Sequence, residues 1–224
     1  MKAGKSFRGE HGFMVKATAK NGASKKTLQT LHEPDKQPVV HKKSVLTIFT
    51  IGHSTHPLDE FAAMLKAHDI AQLVDVRTIP KSRRMPHFSS ESLASELPAW
   101  GIDYTHLKAL GGLRHPKRDS INTGWRNDSF RGYADYMATD EFRQGIERLL
   151  ELARAKRTAI MCAEAVPWRC HRSLIGDALL VRGVHVEDIM TAKSCHTHEL
   201  TAFAKVRGLE ITYPAEGTLE LFKK

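Results

Sequence analysis

Reactive side chains are concentrated in one segment of the chain, which begins at Cys162 and ends at Arg172. It carries two thiols, Cys162 and Cys170, together with the Glu164 carboxylate and the His171 imidazole. A cysteine near positive charges or a helix N-terminus has a lowered pKa and becomes a nucleophile. A carboxylate or imidazole beside it can transfer a proton. The segment predicts a catalytic centre in which Cys162 or Cys170 reacts and Glu164 or His171 handles the proton.

The same segment also predicts an anion site. Pro167 suits the first position of a helix, so we expect Cys170 near the helix N-terminus, where free N–H groups bind anions. Arg172 follows in the first turn, and we expect its guanidinium to lie at the surface and hold the ligand. In the alternative, Arg172 is the buried partner of Asp75 or Glu164, and its role is structural.

A second cationic segment follows the apolar run 73–76, with four basic residues within eight positions. Asp75 lies inside the apolar run, and a buried carboxylate requires a partner. Arg77 lies two positions further on and points to the same face, which predicts an Asp75–Arg77 pair with either a structural or a catalytic role. Arg77, Ser82 and Arg83 are candidates for binding a phosphate, a sulfate or a nucleic-acid backbone.

Residues 108–132 form a third basic segment, with six Lys or Arg around the pair Gly111–Gly112. The aromatic residues Trp125, Phe130 and Tyr133 lie among and just after these bases. Basic residues interleaved with aromatics can stack on a single strand and neutralise it. A lid that closes over a small anion is the alternative.

Zinc is a further interpretation of the thiols, with Cys162, Cys170, His171 and His53 as four ligands. However, seven residues separate Cys162 from Cys170, more than the two to four typical of zinc knuckles. Neighbouring arginines also suit anions better than a dication. We therefore expect neither a metal nor a cofactor.

Strands alternate with helices from residue 45 onward. Apolar, β-rich runs predict strands at 45–51, 73–76, 102–107, 158–162 and 184–189. Apolar residues at helical spacing predict helices after residue 57 and at 91–99, 133–156, 174–179 and 199–206. This alternation predicts a single Rossmann-like α/β domain of three layers with a mainly parallel sheet. Because ligands bind outside the carboxyl ends of such strands, we expect the loops that carry His53, Arg77 and Cys162 to meet.

The distribution of charge predicts the domain boundaries, and the length of the apolar runs excludes a membrane-spanning protein. The chain has 224 residues and a net charge of +9, and its apolar runs fall short of the roughly 18 residues of a membrane helix. Residues 1–44 hold ten Lys or Arg and three acids, so we expect a disordered basic tail there. The α/β domain is predicted at 45–195, followed by an extension at 196–224 that is either packed on it or loose. Three cysteines favour a reducing compartment, the cytoplasm.

Taken together, the motifs resemble domain-of-unknown-function family 488 between about residues 46 and 189. The matching motifs are Thr50-Ile51-Gly52-His53-Ser54, Val74-Asp75-Val76-Arg77 with Pro80, Ser82 and Arg83, Leu110-Gly111-Gly112, Cys162-Ala163-Glu164 and Cys170-His171-Arg172. The resemblance implies a small intracellular α/β domain whose signature residues cluster at one site. A more distant similarity to rhodanese-like sulfurtransferases and cysteine phosphatases is weakened by spacing, because six residues separate Cys162 from Arg169 where the phosphatases have five.

Two functions are consistent with these features. The first is an enzyme, or a former one, that binds a small anionic or nucleotide-like ligand, with Arg77, Arg83 and Arg172 holding the anion. The second is a nucleic-acid-binding accessory module without catalysis, supported by the basic tail and the segment 108–132. An experiment can distinguish the two functions, because nucleic-acid binding weakens steeply as the salt concentration rises.

Overall fold

The computed structural model describes residues 45–81 and 84–215. The predicted tail at 1–44, the candidate ligands Ser82 and Arg83, and the end of the extension at 216–224 lie outside the described residues. None of the helices in the described part of the chain combines the length and the apolar character needed to cross a bilayer.

A six-stranded sheet lies at the centre of the described chain. In chain order its strands are β1 (Thr47–Gly52), β2 (Gln72–Asp75), β3 (Asp103–His106), β4 (Thr158–Cys162), β5 (His185–Thr191) and β6 (Ser194–Thr197). In space they follow the order β3-β2-β4-β1-β5-β6. The pairs along β3-β2-β4-β1-β5 are parallel, and β6 pairs antiparallel with β5. Parallel pairing brings the carboxyl ends of β1, β2 and β4 to one edge of the sheet.

Five α-helices cover the two faces of this sheet. Their bounds are α1 (Leu58–Ala67), α2 (Ser90–Glu96), α3 (Asp128–Tyr136), α4 (Asp140–Ala155) and α5 (Arg172–Leu180). Alternate strand residues point to opposite faces, so Phe49 packs with α1 and α2 while Ile48 packs with α3, α4 and α5. The predicted three-layer α/β domain with a mainly parallel sheet is confirmed.

The sequence of helix α4 explains where the helix begins and which of its faces packs on the sheet. Its N-cap residue Thr139 accepts a hydrogen bond from the Phe142 N–H at 3.3 Å, which satisfies one of the free donors of the first turn. Its buried residues are Phe142, Gly145, Ile146, Leu149, Leu150 and Ala153. These positions recur at helical spacing and form one apolar stripe. This apolar stripe packs against the sheet, and the charged residues of α4 face the solvent.

The predicted helix at 199–206 is wrong. Residues 199–204 contain a turn and no helix, and the chain then enters a two-stranded hairpin, β7 (Lys205–Arg207) and β8 (Glu210–Thr212). Gly208 lies in the turn of the hairpin with φ of 62°, a backbone conformation that glycine adopts without strain. Apolar residues that suggested a helical stripe instead pack locally, since Phe203 contacts Trp125 with ring centroids 4.9 Å apart.

A buried charge cluster joins the C-terminal segment to helix α5 and strand β5. His198 lies between two carboxylates, 3.2 Å from Asp177 and 3.3 Å from Asp188. The Tyr213 hydroxyl also donates to Asp177, at 2.8 Å. Burial alone lowers the pKa of His198, but the hydrogen bonds to Asp177 and Asp188 outweigh it and raise the pKa to about 9. His198 is therefore an imidazolium at neutral pH.

Stability should fall in alkaline solution because of His198. Its pKa is higher in the folded protein than the 6.5 of a free histidine, so its contribution is full below pH 6.5 and is lost as pH rises through 9. The expected loss is about 3 kcal/mol of unfolding free energy. Urea unfolding between pH 6 and pH 10 measures it, with His198→Gln as reference. The difference between the two proteins should shrink as pH rises, and a constant difference would contradict the assignment.

Candidate functional site

The loops that follow β2 and β4 meet at the carboxyl edge of the sheet and, together with residues of the segment 108–132, line a cavity of about 330 Å³. Six of the predicted site residues lie on its wall: Arg77, Gly112, Cys162, Glu164, Cys170 and His171. His53, Asp75, Gly111 and Arg172 are not on the wall. Arg169, Thr78 and Ser129, which the sequence did not single out as ligand-binding, line it as well. The position of Thr78 next to Arg77 is the signal that could have identified it.

His171 brings the two thiols into one cluster. Its Nε2–H donates to the Val76 carbonyl oxygen at 3.0 Å, which directs Nδ1 toward the thiols. Nδ1 lies 3.6 Å from the Cys170 Sγ and 3.9 Å from the Cys162 Sγ. Both cysteines are buried, with 3% and 8% of their surface exposed. The imidazole therefore presents Nδ1 to both sulfur atoms.

The two thiols differ in acidity. A hydrogen bond from Cys162 lowers the pKa of Cys170 well below its ordinary value, and His171 and Arg172 lower it further, against the opposing effect of burial. That hydrogen bond and burial both raise the pKa of Cys162. Cys170 is thus the more acidic thiol of the pair, a distinction that the sequence did not make.

The helix after Cys170 begins later than the sequence predicted. Pro167–Arg169 form a single 3-10 turn, Cys170 is extended, and α5 starts only at Arg172. The prediction of Pro167 as the first residue of this helix is wrong, because the extended backbone at Cys170 separates the turn from the helix. Cys170 consequently lies just before the N-terminus of α5, and its carbonyl accepts the Ser173 N–H at 3.0 Å.

Arg172 is buried, which corrects the prediction that its guanidinium lies at the surface. Only 1% of its surface is exposed. Its Nη2 donates to the backbone carbonyls of Glu164 at 2.8 Å and Ala165 at 3.4 Å, and its Nε has no partner among the described residues. None of the ion pairs found within residues 45–81 and 84–215 includes Arg172, so Asp75 and Glu164 are not its carboxylate partners either. Arg172 anchors the loop after β4 and places a positive charge near the thiols.

The predicted Asp75–Arg77 pair is confirmed. Arg77 binds the buried Asp75 carboxylate through Nη2 at 2.5 Å and Nε at 2.9 Å, and Tyr104 donates to the same carboxylate at 2.8 Å. Arg77 also contacts His53, whose Nε2 lies 3.3 Å from Nη1. Burial first, and then Arg77, lower the pKa of His53 to about 4. His53 is therefore neutral, and its ring stacks on Phe88 at 4.2 Å.

The glycine pair provides space for its neighbours. A Cβ on Gly112 would lie 2.4 Å from Nδ1 of His171, and a Cβ on Gly111 would lie 2.6 Å from the Thr78 hydroxyl oxygen. Real Cβ contacts essentially never come this close. The segment can therefore lie against the His171 imidazole only because it lacks side chains.

Two of the three aromatic residues considered for base stacking have other partners. Tyr133 is fully buried, and its hydroxyl donates to the Leu110 carbonyl at 2.9 Å. Trp125 stacks on Phe130 at 4.7 Å and contacts Tyr213 at 5.6 Å. Of the three, Phe130 alone lines the cavity around the thiols. The aromatic side chains of this segment therefore pack mainly against one another and the core.

The chain was compared with protein families, curated proteins and solved structures. The family model described as Domain of unknown function DUF488 matches residues 57–179, which is more than half of the chain. The match includes the Asp75–Arg77 motif, the glycine pair and the cluster from Cys162 to Arg172, and it starts after His53. No curated protein and no solved structure matches the chain significantly. The chain therefore belongs to the family of the domain of unknown function DUF488.

Proposed function

We propose that this protein is an enzyme that binds a phosphate- or nucleotide-bearing substrate in the 330 Å³ cavity and acts on it at the cluster of Cys162, Cys170 and His171. One observation carries the proposal. Three reactive atoms from two separate parts of the loop lie within 4.8 Å of one another on the wall of a cavity that is also lined by arginines. Convergent reactive groups of this kind, in a concave pocket, are typical of catalytic sites.

Arg169 is the side chain best suited to hold the anionic group. It is exposed, lies on the cavity wall, and makes no ion pair within the described part of the chain. Arg77 also lines the cavity, but Asp75 and the Phe88 carbonyl occupy its Nε and Nη2. A free guanidinium binds phosphate oxygens in a bidentate manner. Arg169 therefore supplies the main contact, and Arg77 adds to the positive field.

The rest of the wall suits a substrate with an apolar or aromatic part. Ile79 and Leu113 are highly exposed, at 59% and 69%, and both line the cavity with Phe130. Exposed apolar side chains around a pocket favour contact with a flat or apolar group.

Glu164 is the exposed carboxylate of the wall, and we assign it proton transfer. The free thiols of all three cysteines fit a reducing compartment such as the cytoplasm.

Arg169→Ala tests the proposed function directly. Titration calorimetry at low salt, with inorganic phosphate and with adenosine 5′-monophosphate, should show binding to the unaltered protein. The variant should bind roughly ten- to a hundredfold more weakly, since one hydrogen bond to a charged group contributes about 1.5–3 kcal/mol. The fold should stay intact because the side chain is exposed.

Arg148→Ala is the matched control, because Arg148 is an exposed arginine of α4 that is paired with Glu151. It should bind both compounds as the unaltered protein does. If neither phosphate nor the mononucleotide binds to the unaltered protein, the proposed function is wrong. Binding of a single-stranded oligonucleotide without binding of the mononucleotide would favour the nucleic-acid module instead.

A further inference from the structure

The distances within the Cys162–Cys170–His171 cluster are those of a metal centre. Zinc binds sulfur at about 2.3 Å and nitrogen at about 2.0–2.1 Å, which at a tetrahedral angle places sulfur and nitrogen about 3.5 Å apart. In the protein the Nδ1 of His171 lies 3.6 Å and 3.9 Å from the two sulfur atoms. All three donor atoms lie within 4.8 Å of one another, so small side-chain movements would bring them into bonding range of one ion.

His171 is already oriented to bind a metal. Its Nε2–H is held by the Val76 carbonyl at 3.0 Å, which directs Nδ1 toward the sulfur atoms. Metal-binding histidines almost always donate their other N–H to a carbonyl or carboxylate in this way. Gly112 lies against the same ring, since a Cβ there would come within 2.4 Å of Nδ1. The ring is thus fixed on two sides.

The donor set and its surroundings select the ion. Two cysteines and one histidine suit zinc, whereas magnesium, calcium and manganese prefer oxygen ligands. Two thiolates cancel the charge of a divalent ion, and the buried Arg172 nearby leaves the centre with one net positive charge. Within the described residues this is the one group of three His, Cys, Asp or Glu side chains with such spacing.

We propose that Cys162, Cys170 and His171 bind one zinc ion and leave its fourth position open to the cavity. This rests on the proposed function, because it assigns the cofactor of that same site. Binding replaces up to two thiol protons, which pass to solvent, and forms two zinc–sulfur bonds and one zinc–nitrogen bond. Three protein ligands with an open position are the pattern of catalytic zinc. The net positive charge then favours an anionic group at that position.

The long spacing between the two cysteines does not oppose this assignment. Cys162 ends strand β4, and the chain turns through Pro167–Arg169 before Cys170. The parallel sheet and helix α5 fix both ends of this loop. They therefore hold the two cysteines close together, as a short turn does in small zinc domains. The loop length is set by the fold, and so the usual spacing of zinc motifs does not apply.

Zinc stoichiometry in the full-length protein is the test. The protein is purified under reducing conditions, stripped with a chelator, loaded with zinc chloride and desalted before elemental analysis. One zinc per chain is expected. Cobalt(II) loaded in place of zinc should give the visible bands of tetrahedral cobalt together with a thiolate charge-transfer band, a readout that requires no variant.

Variants then locate the site. Cys170→Ser and His171→Gln should each weaken zinc binding at least a hundredfold in competition with a chromogenic chelator. Cys195→Ser is the matched control, because Cys195 lies on β6 beside His68, away from the cluster. It should retain one zinc per chain. Circular dichroism of each variant shows whether a loss comes from the site or from the fold.

The inference fails if the unaltered protein retains no zinc, or if zinc remains bound with unchanged affinity in folded Cys170→Ser. The two proposals can fail separately. If phosphate and the mononucleotide bind to protein that takes up no zinc, the metal centre is wrong and the proposed function stands. If zinc binds as expected but neither compound binds the loaded or the stripped protein, the substrate class is wrong and the metal centre stands.

Discussion

Gly52→Ala is expected to destabilise the protein by more than about 4 kcal/mol, in the range reserved for severe steric or core defects. A Cβ at this position would lie 1.8 Å from the Glu164 carbonyl oxygen and 2.8 Å from the Ala165 carbonyl oxygen. Both are backbone atoms, so no side-chain rotation relieves the clash. Arg172 donates to these same carbonyls, which fixes the loop from the other side. Urea unfolding followed by circular dichroism measures the effect.

Gly183→Ala separates this clash from the general effect of replacing a glycine. Gly183 has φ of 73° with nothing within 4 Å of an added Cβ, so its replacement carries only the left-handed penalty of roughly 1–2 kcal/mol. Gly52→Ala should therefore be the more damaging change by a clear margin. Equal losses for the two variants would show that the loop after β4 yields easily, and the close approach at Gly52 would then have no structural importance.

Asp75→Asn is expected to cost about 3–5 kcal/mol of unfolding free energy, which is typical when one partner of a buried ion pair is removed. Asp75 is fully buried, and Arg77 is only 6% exposed. The substitution preserves size but leaves the largely buried Arg77 guanidinium without its counter-ion. Equilibrium unfolding at pH 7 gives the loss directly, and the cavity wall should be disturbed together with it.

Asp103→Asn provides the comparison, because Asp103 forms an exposed ion pair with Lys156. Exposed pairs contribute about 0–1 kcal/mol, so this variant should be nearly as stable as the unaltered protein. The double variant Asp75→Asn with Arg77→Met should recover part of the loss, since it removes the uncompensated charge. A loss below about 1 kcal/mol for Asp75→Asn alone would mean that Arg77 finds another partner.

The alternation of strands and helices was readable from the sequence because it depends on local periodicity. Apolar, β-rich runs placed the five parallel strands, and apolar residues at helical spacing placed the helices α1 to α5, with errors mainly at their ends. The start of α5 was misplaced because Pro167 fits both a helix and a 3-10 turn, and only the tertiary position of Cys170 decides between them. The hairpin after residue 204 was missed because it is short and its apolar residues mimic a helical stripe.

Most residues of the candidate site could be predicted from the sequence, but the contacts that each of them makes could not. The rule that ligands bind at the carboxyl ends of parallel strands correctly brought the Arg77 and Cys162 loops together. The exposure of Arg172 was predicted wrongly. Its burial depends on the loop that lies over α5, and no local sequence pattern indicates where that loop lies. Gly111 and Gly112 were predicted to bind the ligand, and their lack of side chains also makes room for Thr78 and His171, which only the tertiary structure reveals. The ordering of the two thiol pKa values likewise required their hydrogen bond.

Strand β1 is synthesised early and paired late. It lies between β4 and β5, and Gly52 pairs with Cys162, which is 110 positions further along the chain. At about 5–20 residues per second on the ribosome, roughly 5–20 s pass before either neighbour exists. During that time the apolar side chains of β1 have no sheet to join, so nascent chains that stop before residue 158 should be protease-sensitive clients of chaperones. Cys162 at the end of β4 lines the cavity together with Cys170 and His171, so the site forms only after residue 171 has been synthesised.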